Sequence, residues 1–124
     1  MNKKINRILV IDDDVAILEA CNLILTEAGY ATETAIDPGT FLHHGELPDL
    51  IVLDAILSNT DGKEICKRLK NDQRTKHIPV IMMSAHPNIQ DFAKNAGADA
   101  YIDKPFNMED LLKLVQHYFP NVAT

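Results

Sequence analysis

The chain is 124 residues long, with 46% hydrophobic residues, 24% charged residues and a formal net charge of −6. That is the length of one domain with a proper core, and no stretch is apolar enough for a membrane span or a signal peptide. The acidity argues against nucleic acid as a direct partner, because phosphate backbones select basic surfaces.

Ile8-Leu9-Val10-Ile11 reads as a strand covered on both faces, and it runs into Asp12-Asp13-Asp14. Asp13 or Asp14 can cap the helix that follows, whose Ile17, Cys21, Ile24, Leu25 and Ala28 recur at helical spacing until Gly29 stops it. Cys21 and Cys66 sit among apolar residues as small hydrophobes. Two thiols make neither a disulfide framework nor a metal site, and they suit a reduced, cytoplasmic setting. Tyr30 to Ala35 is a less apolar strand, suited to a sheet edge. Asp37-Pro38 opens a short helix over 38–45. Leu50 to Leu53 is the most apolar run, boxed between Asp49 and Asp54. A loop over 55–60 leads to a helix over 61–71 with Ile65, Cys66 and Leu69 inward. A strand over 77–84 ends in Ser84. A helix begins at Pro87, turns Ile89, Phe92, Ala93 and Ala96 inward and ends at Gly97. Ala100 to Asp103 is a brief strand and Lys104-Pro105-Phe106 a turn. Met108, Leu111, Leu112, Val115 and Phe119 face inward on the last helix, which Pro120 terminates.

Five strands alternating with five helices predict a flavodoxin-like, doubly wound α/β fold, with a five-stranded parallel sheet in the order 2-1-3-4-5. Strands 1 and 3 are then neighbours at the switch point. Adjacent strands lie about 4.8 Å apart, so Asp12, Asp13 and Asp54 converge where both strands end. Carboxylates that close repel, and a hard divalent cation such as Mg²⁺ resolves the conflict. Ser84 and Lys104 end the next two strands. Metal, lysine and hydroxyl could divide the charge of a phosphoryl group, and a carboxylate can serve as its nucleophile.

In these motifs the chain resembles the receiver domain of a bacterial two-component response regulator, similar to the stand-alone chemotaxis-type receivers. The resemblance rests on Ile8 to Asp14, Asp49 to Asp54 with Gly62 eight residues on, Val80 to Ala85, and Ala96 to Phe106. It implies that Asp54 is the phosphoacceptor and that Asp12, Asp13 and Asp54 hold Mg²⁺ together with the backbone carbonyl of Ile56. Ser84 would bond the phosphoryl group and Lys104 pair with it, while Tyr101 follows Ser84 as the switch aromatic. The Lys104-Pro105 bond is expected to be cis, and Ile56 and His86 to tune phosphoryl lifetime. His86 would gate water or simply sit in solvent, the latter being preferred. Where the family has Met-Pro after the phosphoacceptor, this chain has Leu57-Ser58, which keeps an apolar plug and frees the loop.

The resemblance also implies a partner histidine kinase or phosphotransfer protein as donor. The output would be a changed helix 4–strand 5–helix 5 face, read by a downstream protein or by an output domain that residues 1–124 do not include. A monomer or weak dimer is expected. The protein would catalyse only its own phosphorylation and dephosphorylation. Three rivals are weaker. An aspartyl phosphatase of the haloacid dehalogenase type needs an acid where Ile56 stands. A flavin module would find its phosphate repelled by Asp12-Asp13-Asp14. A pseudo-receiver scaffold would lack a chemical residue, and none is missing.

Overall fold

The computed structural model describes residues 5–37, 47–57 and 61–119. Five strands, β1 (Arg7–Ile11), β2 (Ala31–Ala35), β3 (Leu50–Asp54), β4 (Val80–Ser84) and β5 (Ala100–Asp103), form one sheet in the order β2-β1-β3-β4-β5. Every neighbouring pair is parallel. Four helices lie among the described residues: α1 (Val15–Glu27), α2 (Gly62–Asn71), α3 (Ile89–Ala96) and α4 (Met108–His117). The helix expected over 38–45 lies outside them, so the predicted five helices are four here.

The two-residue period of a strand sorts the three central runs into two cores. Leu9, Ile11, Ile51, Leu53, Val80 and Met82 point to one side, where Ile65, Cys66 and Leu69 of α2 and Ile89, Ala93 and Ala96 of α3 meet them. Ile8, Val10, Leu50, Val52, Ile81 and Met83 point to the other, against Leu18, Cys21 and Leu25 of α1 and Leu111 and Val115 of α4. Truncating one of these side chains, for example Leu53→Ala, removes contacts that nothing else can supply and costs roughly 2–5 kcal/mol. β2, with its Thr-Glu-Thr centre, is half-buried and takes the edge.

The helices start where the sequence offers caps. Asp14 is the first cap, its Oδ1 accepting from the Ala16 and Ile17 amides. Asp61 and Asn107 cap α2 and α4 in the same way. Gly29 and Gly97 follow α1 and α3 with φ of 102° and 84°, a conformation only glycine adopts cheaply. Two strand starts are tighter than predicted, and α3 begins at Ile89 and not at Pro87. β4 starts at Val80 and not at residue 77, because Pro79 has no amide to donate and the Ile78 amide bonds back to Thr75. β2 starts at Ala31 because the Tyr30 amide is spent on the Leu25 carbonyl of α1. On α1 the buried stripe is Leu18, Cys21 and Leu25, with Ile17 and Ile24 half-buried beside it.

Candidate functional site

Sheet register brings the candidate residues to one edge. Ile11 pairs with Leu53, so Asp12 and Asp54 each emerge one position further on. Asp54 pairs with Met83, and Ser84 pairs with Asp103, whose neighbour Lys104 donates its amide to the Ser84 carbonyl at 2.8 Å. One carboxylate oxygen from each of Asp12, Asp13 and Asp54 lies within 4.8 Å of the other two. Asp12 is fully buried, Asp54 is 5% exposed, and Asp13 faces solvent.

Local backbone donors hold the carboxylates still. Asp12 Oδ1 accepts the Asp14 amide at 2.9 Å, and Asp54 Oδ1 accepts the Ile56 amide at 3.1 Å. Their other oxygens face Lys104, whose Nζ lies 2.7 Å from Asp12 Oδ2 and 3.2 Å from Asp54 Oδ2. Burial pushes the Asp54 carboxyl above its ordinary value of 3.8, and the Asp12 charge adds to this, while the Ile56 amide and Lys104 pull it back. Burial alone would lower the Lys104 ammonium, but its bond to Asp12 and the two carboxylate charges hold it above 10.5. Three carboxylates gather around one lysine, so the cluster carries more negative charge than Lys104 neutralises. Three converging oxygens from hard carboxylates, two of them already oriented by amides, fit a divalent cation of the Mg²⁺ kind.

Gly62 is where α2 presses on the site. A Cβ there would lie 2.0 Å from the Asp54 carbonyl oxygen and 2.8 Å from Ala55 Cα, and the Gly62 amide donates to the Ala55 carbonyl at 2.9 Å. The sequence marks this glycine, but only the packing reveals why a side chain is excluded.

Of the switch candidates, Ser84 ends β4 and Tyr101 is the second residue of β5, paired with Met82. Ser84 is buried, and its Oγ accepts the His86 amide at 2.9 Å. Tyr101 is 39% exposed on β5. Ile56 turns its side chain outward, 61% exposed, beside Asp54. His86 is not the solvated side chain that was preferred. Its ring is half-buried, lies 4.4 Å from that of Phe92, and its Nδ1 accepts the Asn88 amide at 3.0 Å. Lys63 Nζ sits 4.3 Å from the centre of the same Phe92 ring. The helical spacing of Phe92 predicts a core residue alone, and no sequence signal ties it to Lys63 or His86. The Lys104-Pro105 bond is cis. Ser58 lies outside the described residues. A mainly apolar cavity of about 310 Å³, lined by Ile17, Ala85, Lys104, Pro105, Phe106 and Met108, adjoins the site. No helix among the described residues is long and apolar enough to cross a membrane.

A parallel sheet whose carboxyl edge gathers three acids, a lysine and a hydroxyl defines a doubly wound protein equipped to hold and transfer a small anion. Comparison with known proteins narrows that class. The family model described as the response regulator receiver domain matches residues 8–116. The DNA-binding dual master transcriptional regulator RpaA of Synechocystis is 44% identical over 114 residues, covering 89% of this chain and 47% of that protein. The response regulator MprA of Mycolicibacterium vanbaalenii is 36% identical over 110 residues, covering 86% and 47%. Among solved structures, DrrB of Thermotoga maritima, described as an OmpR/PhoB homolog, superposes with a TM-score of 0.85 at 31% identity, over 94% of this chain and 54% of that one. A CheY-like receiver domain protein from Methanospirillum hungatei does so at 0.84 and 33%, over 94% and 95%. The chain belongs to the response regulator receiver domain family. It is thus a phosphoryl-accepting receiver module of two-component signalling. It spans about half the length of the curated relatives it matches.

Proposed function

We propose that Asp54 is the phosphoacceptor and that a partner histidine kinase or phosphotransfer protein is the donor. The observation that carries this reading is the placement of Asp54: buried, held by the Ile56 amide, and 3.2 Å from a lysine shared with Asp12. An Asp54 oxygen attacks phosphorus in line, forming a phosphorus–oxygen bond. The phosphorus–nitrogen bond of the donor phosphohistidine breaks, and its electron pair leaves on the imidazole, which takes a proton from solvent. Lys104 stays beside the group and offsets its charge, and the Ser84 hydroxyl donates to a phosphoryl oxygen. Asp12, Asp13, Asp54 and the Ile56 carbonyl would hold Mg²⁺, which supplies further positive charge to the transferring phosphoryl oxygens. Water later hydrolyses the acyl phosphate. The chain thus catalyses only its own phosphorylation and dephosphorylation.

The output is a population shift. Phosphoryl contacts to Ser84 and Lys104 favour one of two arrangements, and Tyr101 follows Ser84 inward. The face that changes is α3, β5 and α4, the helix 4, strand 5 and helix 5 of the predicted alternation. Residues 1–124 act as one receiver unit, and a downstream protein or an output domain reads that face. A cytoplasmic setting suits a chain whose two thiols are buried and unpaired. Amide resonances recorded with beryllofluoride and Mg²⁺, a stable stand-in for the phosphoryl group, test site and switch together. Shifts centred on residues 84–106 in wild type and none in Asp54→Ala are expected. Equal shifts in the variant would sink the assignment.

A further inference from the structure

The cavity beside the acid cluster is walled almost wholly by carbon. Ile17, Ala85, Pro105, Phe106 and Met108 line it, and Lys104 is the one charged side chain among the lining residues. All of them gather at the carboxyl edge of the sheet. Ile17 lies in the first turn of α1, Ala85 follows Ser84 at the end of β4, and residues 104–108 lead from β5 into α4. Ile17, Phe106 and Met108 are partly buried and pack on the core between α1 and α4, so these walls are set before any ligand arrives. At about 310 Å³ the space stands at the lower limit for small-molecule pockets.

Lys104 joins this cavity to the reactive carboxylate. Its ammonium lies 3.2 Å from Asp54 Oδ2, and the same residue lines the cavity. A phosphoryl group held on that ammonium is within one lysine side chain's length of the apolar walls. The lining also selects the chemistry of whatever the phosphoryl group carries. Apart from the weak thioether of Met108, the apolar side chains offer no hydrogen-bond partner, so a polar substituent would lose water without compensation. Nor do they supply a proton. The alkoxide leaving a phosphate ester needs one, whereas the carboxylate leaving an acyl phosphate does not.

We propose that the cavity is a subsite for the apolar chain of a small acyl phosphate, a phosphoryl donor additional to the partner protein, with Ala85 and Met108 setting its preference for a chain longer than acetyl. The inference rests on the phosphoacceptor reading above and names a substrate class for the same carboxylate. An Asp54 oxygen forms the new phosphorus–oxygen bond. The bond from phosphorus to the acyl oxygen breaks, and its electron pair departs on the carboxylate with no proton transferred. Each methylene moved fully from water into the cavity favours the donor by about four-fold.

The test compares acetyl phosphate with n-butyryl phosphate, each with Mg²⁺ and far below saturation. The two leaving carboxylates are alike, so the ratio of second-order rate constants reads the chain alone. Wild type is expected to favour the butyryl donor by about five-fold, the value for two methylenes half-buried in an open cavity. Ala85→Leu, at an exposed rim position, fills the space, and Met108→Gln keeps the shape but makes one wall polar. The preference falls below about two-fold in each. Because each ratio is taken within one protein, partial unfolding of a variant cancels. A nonreactive pair gives a second readout: n-butylphosphonate shifts the Ile17 and Met108 methyl resonances of wild type, and methylphosphonate does not. No preference in wild type overturns the proposal, and so does an undiminished preference in either variant, or equal shifts from the two phosphonates. Neither donor is expected to phosphorylate Asp54→Asn, and phosphorylation that survives there removes the phosphoacceptor reading itself, whatever the ratio.

Discussion

Gly62→Ala adds one methyl group at the tightest point of the fold. The new Cβ would stand 2.0 Å from the Asp54 carbonyl oxygen and under 3.0 Å from two Ala55 backbone atoms. No rotamer relieves a clash between backbone segments, so α2 and the end of β3 must part by about 1 Å to reach the shortest contacts that real carbons make. Overpacking of this kind costs roughly 1–3 kcal/mol. Weakening the 2.9 Å bond from the Gly62 amide to Ala55 adds about 1 kcal/mol. Alanine's better helix propensity returns at most about 1 kcal/mol, less at a first helical position. The expected net loss is about 3 kcal/mol in urea unfolding. Phosphorylation should slow by about tenfold or more, because misplacing a reacting group by 1 Å can cost about a hundredfold. Gly29→Ala is the control. It meets no atom within 4 Å but carries a φ of +102°, so it should cost only about 1 kcal/mol of backbone strain and leave phosphorylation intact. Gly62→Ala within about 0.5 kcal/mol of wild type, or less harmful than Gly29→Ala, would refute the reasoning.

Lys104→Ala leaves Asp12 buried without its 2.7 Å partner, and metal-free stability should fall by roughly 2–4 kcal/mol in thermal melts. Added Mg²⁺ should recover more of the stability in the variant than it adds to wild type, and equal gains would count against the charge-excess account. Ile56→Asn replaces an exposed apolar side chain beside Asp54 with one able to orient water, so the phosphorylated protein should lose its group faster. Equal or slower decay ends that idea. The Cys66 thiol is buried and pushed up to about 11, so the folded chain keeps its proton where the unfolded chain, near 9.0, has lost it. The unfolded state then binds fewer protons, and stability falls as pH rises from about 9 to 11, by roughly 2–3 kcal/mol for this group. Cys21 is raised to about 11 in the same way, so Cys66→Ala should make that alkaline slope shallower without abolishing it, and an unchanged slope would show that the Cys66 thiol does not titrate on unfolding.

The chemistry-bearing residues were legible because strand ends announce themselves. An apolar run that stops at Asp12, Asp54 or Ser84 fixes both the strand and the point where a polar group emerges, and strict alternation of elements then fixes the edge they share. Asp14 was legible as a cap for the same local reason. The brief edge strand β5 was also bounded correctly, because Gly97 and Pro105 punctuate it. What stayed hidden depends on packing between elements. Gly62 is marked by its place eight residues after Asp54, but the reason for a glycine there shows only when α2 is set against Asp54 and Ala55. The Phe92 ring has the spacing of a core residue, and its meeting with Lys63 and His86 needs the placement of α2 against α3. The early start given to β4 came from counting His77 and Ile78 as apolar strand, when Pro79 breaks the ladder.

The most direct measurement is chemical mapping of the phosphoryl group. The protein is phosphorylated with Mg²⁺ and an acyl phosphate, reduced with borohydride, and sequenced by mass spectrometry. Borohydride converts an aspartyl phosphate to homoserine at the residue that carried it. Homoserine at position 54, and at no other aspartate, is the result the account predicts. Homoserine at position 12 or 13, or none in protein that has taken up phosphate, would contradict it.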